Sequence, residues 1–364
     1  MMSRKKNYAI LISAKKRPGG IERRFFRIFL NLIEKNEPCY LFAFKTFIED
    51  LKSESQTEIP NIVMLPHIKR IFLIFQCLHI IYVCKRMKIS SIHIAANPSV
   101  LSSIMVVLGR FFSIDISVSS VASSQITKKD FKLINRICIM ITYYLVKRID
   151  FLSDSIYYHH SKIWKIDKKK VFISPCSFMS RLVIDEKHVI NNNRAIDICF
   201  VSRLTPHKGF ELLIDTLIGI ENCLNIRICG EGPLDAYYEK RKDKLSQHNI
   251  DIGYCKNTFD VYRKSKIFLS LQDKNNYPSQ SLFEAIYSDC AVIATDVGET
   301  REMLNDSNAI LIQPLVMDLQ SSIFVLLNNE KKRLELAEKA KCEVFAEHTV
   351  EKFSLYIMNL ISND

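Results

Sequence analysis

Short runs of β-branched and apolar residues alternate with longer amphipathic stretches along the whole of this 364-residue chain. No other feature constrains the fold as much. Strands joined by helical crossovers run parallel, and a parallel sheet is covered by helices on both faces, so its strands read as continuous apolar runs. In the first half, 8–14, 39–44, 62–65, 91–96, 115–120, 150–153 and 171–174 are predicted strands, and 21–35, 68–88, 100–112 and 130–147 predicted helices. The pattern then restarts. Strands are predicted at 197–202, 225–229, 251–254, 267–271, 291–295 and 309–312, with helices at 209–218, 234–247, 258–263, 279–287, 316–328 and 331–346. The expectation is an α/β protein of two doubly wound, Rossmann-like domains that meet near the polar stretch 185–194, with Asn191, Asn192 and Asn193 as linker. Ligands of such sheets bind beyond the carboxyl ends of the strands. Two sheets facing each other would leave a cleft there.

Composition narrows the class. An apolar share of 48% with 25% charged residues excludes a disordered or fibrous chain. The apolar run 8–14 is too short for a signal peptide and lysines follow it, so none is expected. The 11 cysteines are scattered, with no CxxC pair and no Cys/His cluster of zinc spacing. We therefore expect a reduced, cytoplasmic protein without a bound metal. The net charge of +12 is uneven: residues 1–190 carry 31 Lys and Arg against 14 Asp and Glu, whereas 191–364 carry 20 against 25. A basic half attracts polyanions, either nucleic acid or the acidic inner face of a membrane. The aromatic–basic interleaving of single-strand binders is missing, which counts against nucleic acid.

Two stretches bear on the membrane. The run 71–84 is almost wholly apolar, preceded by Lys69 and Arg70 and followed by Lys85, Arg86 and Lys88. It falls short of the roughly 20 residues of a membrane span, so it reads as a buried helix or as a contact with one leaflet. The run 138–146, with Lys147 and Arg148 behind it, admits the same two readings. No transmembrane helix is expected.

Glycine is scarce, 9 in the chain, so its placement is informative. In Phe200-Val-Ser-Arg203-Leu-Thr-Pro-His-Lys208-Gly209, a strand ends, two cations appear and a helix begins. Such a loop can grip a diphosphate with charge-assisted contacts, or it can be a solvated basic loop. Ile228-Cys-Gly230-Glu231-Gly232-Pro233 is a glycine-rich turn from strand to helix, though not the dinucleotide fingerprint. In Asn276-Tyr-Pro278-Ser279-Gln280-Ser281-Leu282-Phe-Glu284-Ala285, proline and serine suit a helix start, whose free amides would suit a pyrophosphate. Glu284, one to two turns in, could accept from sugar hydroxyls or be a surface glutamate of an amphipathic helix.

Taken in order, Arg203…Lys208-Gly209, Gly230-Glu231-Gly232-Pro233, Asn276…Glu284-Ala285 and Ala294-Thr295-Asp296-Val297-Gly298 resemble the retaining glycosyltransferases of the GT-B fold, group 1. The likeness covers 195–305 and is fainter at Pro18-Gly19-Gly20-Ile21-Glu22, which looks like the family's amino-terminal glycine loop. The resemblance implies domains at 1–185 and 186–348, with 349–364 as a helix crossing back to the first. It implies an enzyme that moves a sugar, with retention, from a nucleoside diphosphate to a glycan or lipid-linked acceptor in cell-surface polysaccharide or lipopolysaccharide synthesis. A UDP-sugar is favoured over a GDP-sugar, and neither cofactor nor metal is expected. Arg203 and Lys208 match the family's cations on the donor diphosphate, and Glu284 its glutamate on the donor ribose. Ser279, Gln280, Ser281 and Leu282 match the segment whose amides meet the phosphates. Gly230, Glu231, Tyr254 and Cys255 match the walls around base and ribose, and Gly19 and Gly20 would approach the phosphates.

The chain departs from the family in two places. Asn276 stands where the family has a glutamate for the transferred sugar, and an amide cannot supply negative charge there. The family's histidine in the first domain has no match: His93 falls inside a predicted strand and reads as a satisfied core histidine, while 117–124 offers hydroxyls. These departures leave a second reading open, a non-catalytic GT-B relative serving as subunit or regulator of another transferase. Lys15, Lys16, Arg17, Arg23 and Arg24 surround the glycine loop, where an anionic acceptor or the headgroups of the inner membrane surface could sit, or where the face is simply solvated.

Overall fold

The structure is a computed structural model, and it describes residues 6–13, 20–52, 59–66, 72–120, 132–179, 194–275, 277 and 279–362. The expected linker residues Asn191, Asn192 and Asn193 lie outside the described residues, as do Lys15, Lys16 and Arg17. The chain divides into two compact units, Met1–Val183 with His348–Asp364, and Ile184–Glu347.

The first unit is built on a seven-stranded sheet of β1 (Asn7–Leu11), β2 (Cys39–Phe44), β3 (Ile62–Leu65), β4 (Ile89–Ile94), β5 (Asp115–Ser120), β6 (Arg148–Phe151) and β7 (Val171–Ile173). The order is β3-β2-β1-β4-β5-β6-β7, and every pairing is parallel. Ile10, Leu41, Phe42, Ile92, Val118 and Ile149 are wholly buried, as strands covered on both faces must be. Helices α1 (Gly20–Glu34), α2 (Lys45–Lys52), α3 (Leu73–Arg86), α4 (Val100–Phe111), α5 (Leu133–Leu145) and α6 (Asp154–Ile163) make the connections. Right-handed crossovers put α1 and α2 on one face and α3, α4 and α5 on the other. There α4 packs between α3 and α5. The chain's last helix, α13 (Val350–Ser362), returns to pack on α1 over β4 and β5.

The second unit has a six-stranded parallel sheet in the order β10-β9-β8-β11-β12-β13. Its strands are β8 (Ile196–Val201), β9 (Asn225–Cys229), β10 (Asn249–Gly253), β11 (Ser265–Ser270), β12 (Ala291–Thr295) and β13 (Ile310–Ile312). Its helices are α7 (Phe210–Ile218), α8 (Asp235–Glu239), α9 (Thr258–Lys264), α10 (Gln280–Tyr287), α11 (Val316–Asn328) and α12 (Glu330–Glu347). Every predicted strand is present. The helix predicted over 234–247 instead breaks into α8 and a 3-10 turn at Lys242–Leu245, because 239–244 is an unbroken charged run with no apolar side chain to hold a helix down. Two helices were not predicted. One, α2, follows β2 with no turn residue between them, and the other, α6, buries only Ile156 and His160, so it has no periodic stripe.

Beneath α1 and α13 the first sheet carries a buried polar network. His93 on β4 is wholly buried, with Nδ1 and Nε2 each 2.9 Å from a hydroxyl, of Ser117 and Ser119 respectively. The Ser119 hydroxyl donates its proton to Asp150 Oδ2 at 2.7 Å, so it must accept from Nε2–H, and Nδ1 accepts from Ser117. The expected core histidine is thus present, neutral and in one tautomer. The other oxygen of Asp150 accepts from Ser174 at 2.8 Å and from Tyr356 at 2.7 Å, which fastens α13 to β6. Burial raises the Asp150 carboxyl above its ordinary range, and the three donors and the Arg24 charge act against that. Arg24 itself donates to Ser177 at 2.6 Å and lies between the rings of Phe178 and Phe353.

This network generates two predictions. Burial lowers His93 from 6.5 to about 3, so it stays neutral in the fold while the unfolded chain protonates below 6.5. Stability therefore falls as pH drops from 6.5 towards 3, and unfolding takes up about one proton more than in His93→Gln, measured from the pH dependence of urea unfolding. Tyr356→Phe removes a donor to a buried carboxylate and should cost about 1.5–3 kcal/mol in the same assay.

Candidate functional site

In the second sheet the strand order reverses between β8 and β11. The loops beyond the carboxyl ends of those two strands bound the crevice where an open α/β sheet binds ligands. The segment after β8 carries Arg203, His207, Lys208 and Gly209, and that after β11 runs to Ser279 at the head of α10.

Backbone contacts lace these loops together. Ser202 N–H donates to the Cys229 carbonyl at 3.1 Å, Leu204 N–H to Glu231 at 3.1 Å, and Leu234 N–H to Leu204 at 3.0 Å. Gly230 N–H donates to Gly253 at 3.1 Å, tying in the end of β10. Such close approach leaves no room for side chains. A Cβ on Gly230 would strike the Ser202 carbonyl oxygen, and one on Gly232 that of Leu204. Gly209, at φ +80°, lies against the Leu271 carbonyl and so joins the β8 and β11 loops directly.

The two cations stand on this frame. Arg203 is exposed and Lys208 half-buried at the foot of the same loop. Burial, and then the neighbouring Arg203 charge, push the Lys208 ammonium below its ordinary value. An anion set between the two would act against that shift, because an opposite charge favours the ammonium form. His207, at φ +69°, donates through Nδ1 to Asp273 at 3.0 Å, and Lys274 Nζ lies 2.9 Å from its Nε2. A neutral ring satisfies both neighbours, donating to the carboxylate and accepting from the ammonium. The sequence reading did not assign His207, Asp273 or Lys274; only the adjacency of His207 to Lys208 signalled them.

Ser279, the predicted start, is the N-cap of α10, which begins one residue later at Gln280, and its hydroxyl accepts from Leu282 N–H at 3.4 Å. The Leu282 amide is therefore engaged by the cap, and Gln280 and Ser281 form the first turn of α10. Glu284 is only 5% exposed, and its Oε2 accepts from Thr258 Oγ1 at 3.0 Å, which joins α10 to the start of α9. It is not a surface glutamate. Asn275 donates to Glu299 Oε2 at 2.9 Å and packs on Gly298, at φ +56°, where a Cβ would meet the amide side chain at 2.5 Å. That contact stitches the β11 and β12 loops, and no local motif announces it.

Glu231 and Tyr254 are exposed, the latter at 71%, beyond the ends of β9 and β10. Cys255 donates to the Asn257 carbonyl at 3.2 Å, and its thiol lies beside that of Cys229. In the first unit Gly20 opens α1, and a Cβ there would meet nothing within 4 Å, so packing does not demand glycine. Gly19, Asn276 and Pro278 lie outside the described residues. Among the described residues no group of three or more His, Cys, Asp or Glu is placed to hold a metal ion.

With this geometry in hand, the chain can be set beside known proteins. Residues 181–342 match the family described as glycosyl transferases group 1. No curated protein matches by sequence. By structure the chain is similar to Anabaena HepE in complex with UDP, at 12% identity and a TM-score of 0.73, over 97% of this chain and 98% of that one. It is similar to the lipopolysaccharide outer core galactosyltransferase WaaB, at 15% identity and a TM-score of 0.66, over 97% and 98%. It is also similar to a TarM variant of S. aureus in complex with fondaparinux, alpha-GlcNAc-glycerol and UDP, at 13% identity and a TM-score of 0.70, over 99% and 100%. The chain has the GT-B fold, and its residues 181–342 match the model of the family described as glycosyl transferases group 1.

Proposed function

We propose that this protein is a glycosyltransferase that moves a sugar, with retention, from a nucleoside diphosphate to a glycan or lipid-linked acceptor in cell-surface polysaccharide or lipopolysaccharide synthesis. The observation that supports the reading is that Arg203 and Lys208 share one loop at the switch point of the unit that matches the family, a loop joined through Gly209 and His207 to the segment that leads to α10. The diphosphate of the donor would lie between the two cations and the amides of Gln280 and Ser281. As the glycosidic bond breaks, negative charge grows on the leaving diphosphate, and fixed cations lower the barrier by stabilising it. No step in this scheme calls on a metal ion. Glu284, held by Thr258, would orient the donor ribose from α10. Gly230, Glu231, Tyr254 and Cys255 would flank the base, which we take to be uracil because HepE and TarM are described with UDP. Asn276 would contact the transferred sugar as a neutral partner.

The acceptor reading draws on the neighbours and on charge. WaaB is named for lipopolysaccharide outer core, and TarM is described with alpha-GlcNAc-glycerol. The surplus of 17 positive charges in 1–190 suits an acceptor carrying phosphate at the inner surface of a membrane. Among the described residues no helix is long and apolar enough to cross a membrane. The second reading, a non-catalytic relative, rests on Asn276 and on the unmatched first-domain histidine, departures that leave the proposed diphosphate grip in place.

The outcomes expected are specific. UDP should raise the melting temperature in the presence of a chelator, and the chain should slowly release sugar from a UDP-sugar. Binding of UDP with no sugar released from any donor would favour the non-catalytic reading. Lys208→Ala should lower kcat/KM by about 10²–10³ with its melting temperature unchanged. Because Lys208 is shifted down, it loses its charge at lower pH than an ordinary lysine, so UDP affinity should weaken earlier on the alkaline side than simple lysine chemistry dictates. Gly230→Ala must push the β8 and β9 loops apart and should cost about 1–3 kcal/mol in urea, together with the UDP shift.

A further inference from the structure

The layer of α3, α4 and α5 has two apolar sides. Inward, Cys77, Ile80, Cys84, Met105, Val106 and Ile139 join the core of the first unit. Outward, where a surface helix normally presents charge, α5 carries Leu133, Ile137, Met140 and Tyr144 in a stripe at i, i+4, i+7 and i+11. Met140 is 60% and Tyr144 78% exposed. Beside it α4 ends on Phe111, 80% exposed, and α3 turns Phe75, Leu78 and Tyr82 to the outside. None of the three helices contains an acidic residue. Between 72 and 149 the chain has ten Lys and Arg but only Asp115 and Asp130, and Asp115 is paired with Lys147 at 2.7 Å. An open groove of about 760 Å³ between the ends of α4 and α5 repeats this pairing on a small scale: Val106, Phe111, Ile116 and Leu145 line it together with Arg110 and Lys147.

From this arrangement we infer that the α3–α4–α5 face docks on a lipid bilayer bearing anionic headgroups. Its aromatic and aliphatic side chains enter the boundary between headgroups and acyl chains, and the surrounding lysines and arginines meet the phosphates. Charge selects this occupant. A second copy of the chain would bring the same basic rim against itself, whereas an acidic leaflet matches both the apolar stripe and the cations around it. The α12 helix shows the contrast: its outer side, with Lys331, Glu335, Glu338 and Lys339, is that of a helix facing water. Docking here deepens the lipid-linked acceptor reading, on which its biological purpose rests, but it asks nothing of the donor loops.

Vesicle flotation of the full chain tests it. The protein should float with phosphatidylcholine vesicles doped with phosphatidylglycerol, less so as salt is raised, and weakly with phosphatidylcholine alone. The double variant Ile137→Glu with Met140→Glu alters only exposed side chains, so its melting temperature and UDP shift should stay at wild-type values while its vesicle partition falls at least about tenfold. Should that variant misfold, Lys85→Ser with Arg86→Ser provides the second arm, and it should weaken binding to the acidic vesicles. A wild-type chain that stays below the vesicles at low salt would overturn the inference, and so would equal flotation of the glutamate variant. A concentration-dependent dimer abolished by the same substitutions would assign the face to a second copy instead. Loss of the UDP shift in a chain that still floats would sink the donor reading and leave the docking face standing.

Discussion

The rest of the candidate site depends on how closely the backbone of the β8 loop approaches its neighbours. Gly230 and Gly232 bring the β9 turn onto Ser202 and Leu204, and Gly209 brings the β8 loop onto Leu271. Arg203 and Lys208 stand on the loop that these three approaches fix. Lys208 is then held partly out of water next to a like charge, a cost that the surrounding packing must offset in the free protein. On the proposed reading, a loop restrained in this way would need little further ordering to take up the donor diphosphate.

The first unit illustrates the opposite use of titratable groups. His93 and Asp150 are linked through Ser119, and both are strongly shifted by burial. A histidine, a serine and an aspartate in contact invite a catalytic reading. Accessibility and hydrogen bonding argue against it. Both groups are buried to within 1% of completely, and each polar atom of the chain from Ser117 to Asp150 has a partner. The Ser119 proton already serves Asp150, so the hydroxyl is not poised for transfer to an imidazole. The network instead anchors α13, since Tyr356 donates to the same carboxylate, and α13 begins directly after the second unit ends at Glu347.

Much of this was legible in the sequence, for reasons that differ by element. Strands were read correctly because burial on both faces writes an uninterrupted apolar run, as in Cys39-Tyr-Leu-Phe-Ala-Phe44, and that signal survives without any partner being known. The clusters around Gly209 and Gly230 were legible because glycine marks close approach, and here it does so at positions that a Cβ would obstruct. Gly20 carries no such constraint, so for it the inference from scarcity does not hold. What could not be read were contacts spanning long separations. The Asn275–Glu299 bond and the Thr258–Glu284 bond join residues 24 and 26 apart, and neither leaves a periodic trace. The helix at 234–247 failed because a charged run can look like the solvent face of a helix when the apolar face that would support it is absent.

The apolar run at 71–84 shows where a one-dimensional reading must stop. A buried helix and a helix against lipid were posed as alternatives, yet α3 buries Cys77, Ile80, Ile81 and Cys84 while exposing Phe75, Leu78 and Tyr82. A helix in the outer layer of a doubly wound unit has only one side to give to the sheet. When its apolar residues go all the way round, the surplus must face outward, and α4 and α5 pack in the same layer with exposed apolar side chains of their own. Exposed apolar area of this extent carries a standing free-energy cost in water, roughly 25 cal/mol per Å². The absence of any acidic residue from all three helices makes that surface electrostatically one-sided as well. Solubility alone would favour charges of both signs there, so the surface is best understood as shaped by what it meets rather than by the fold it covers.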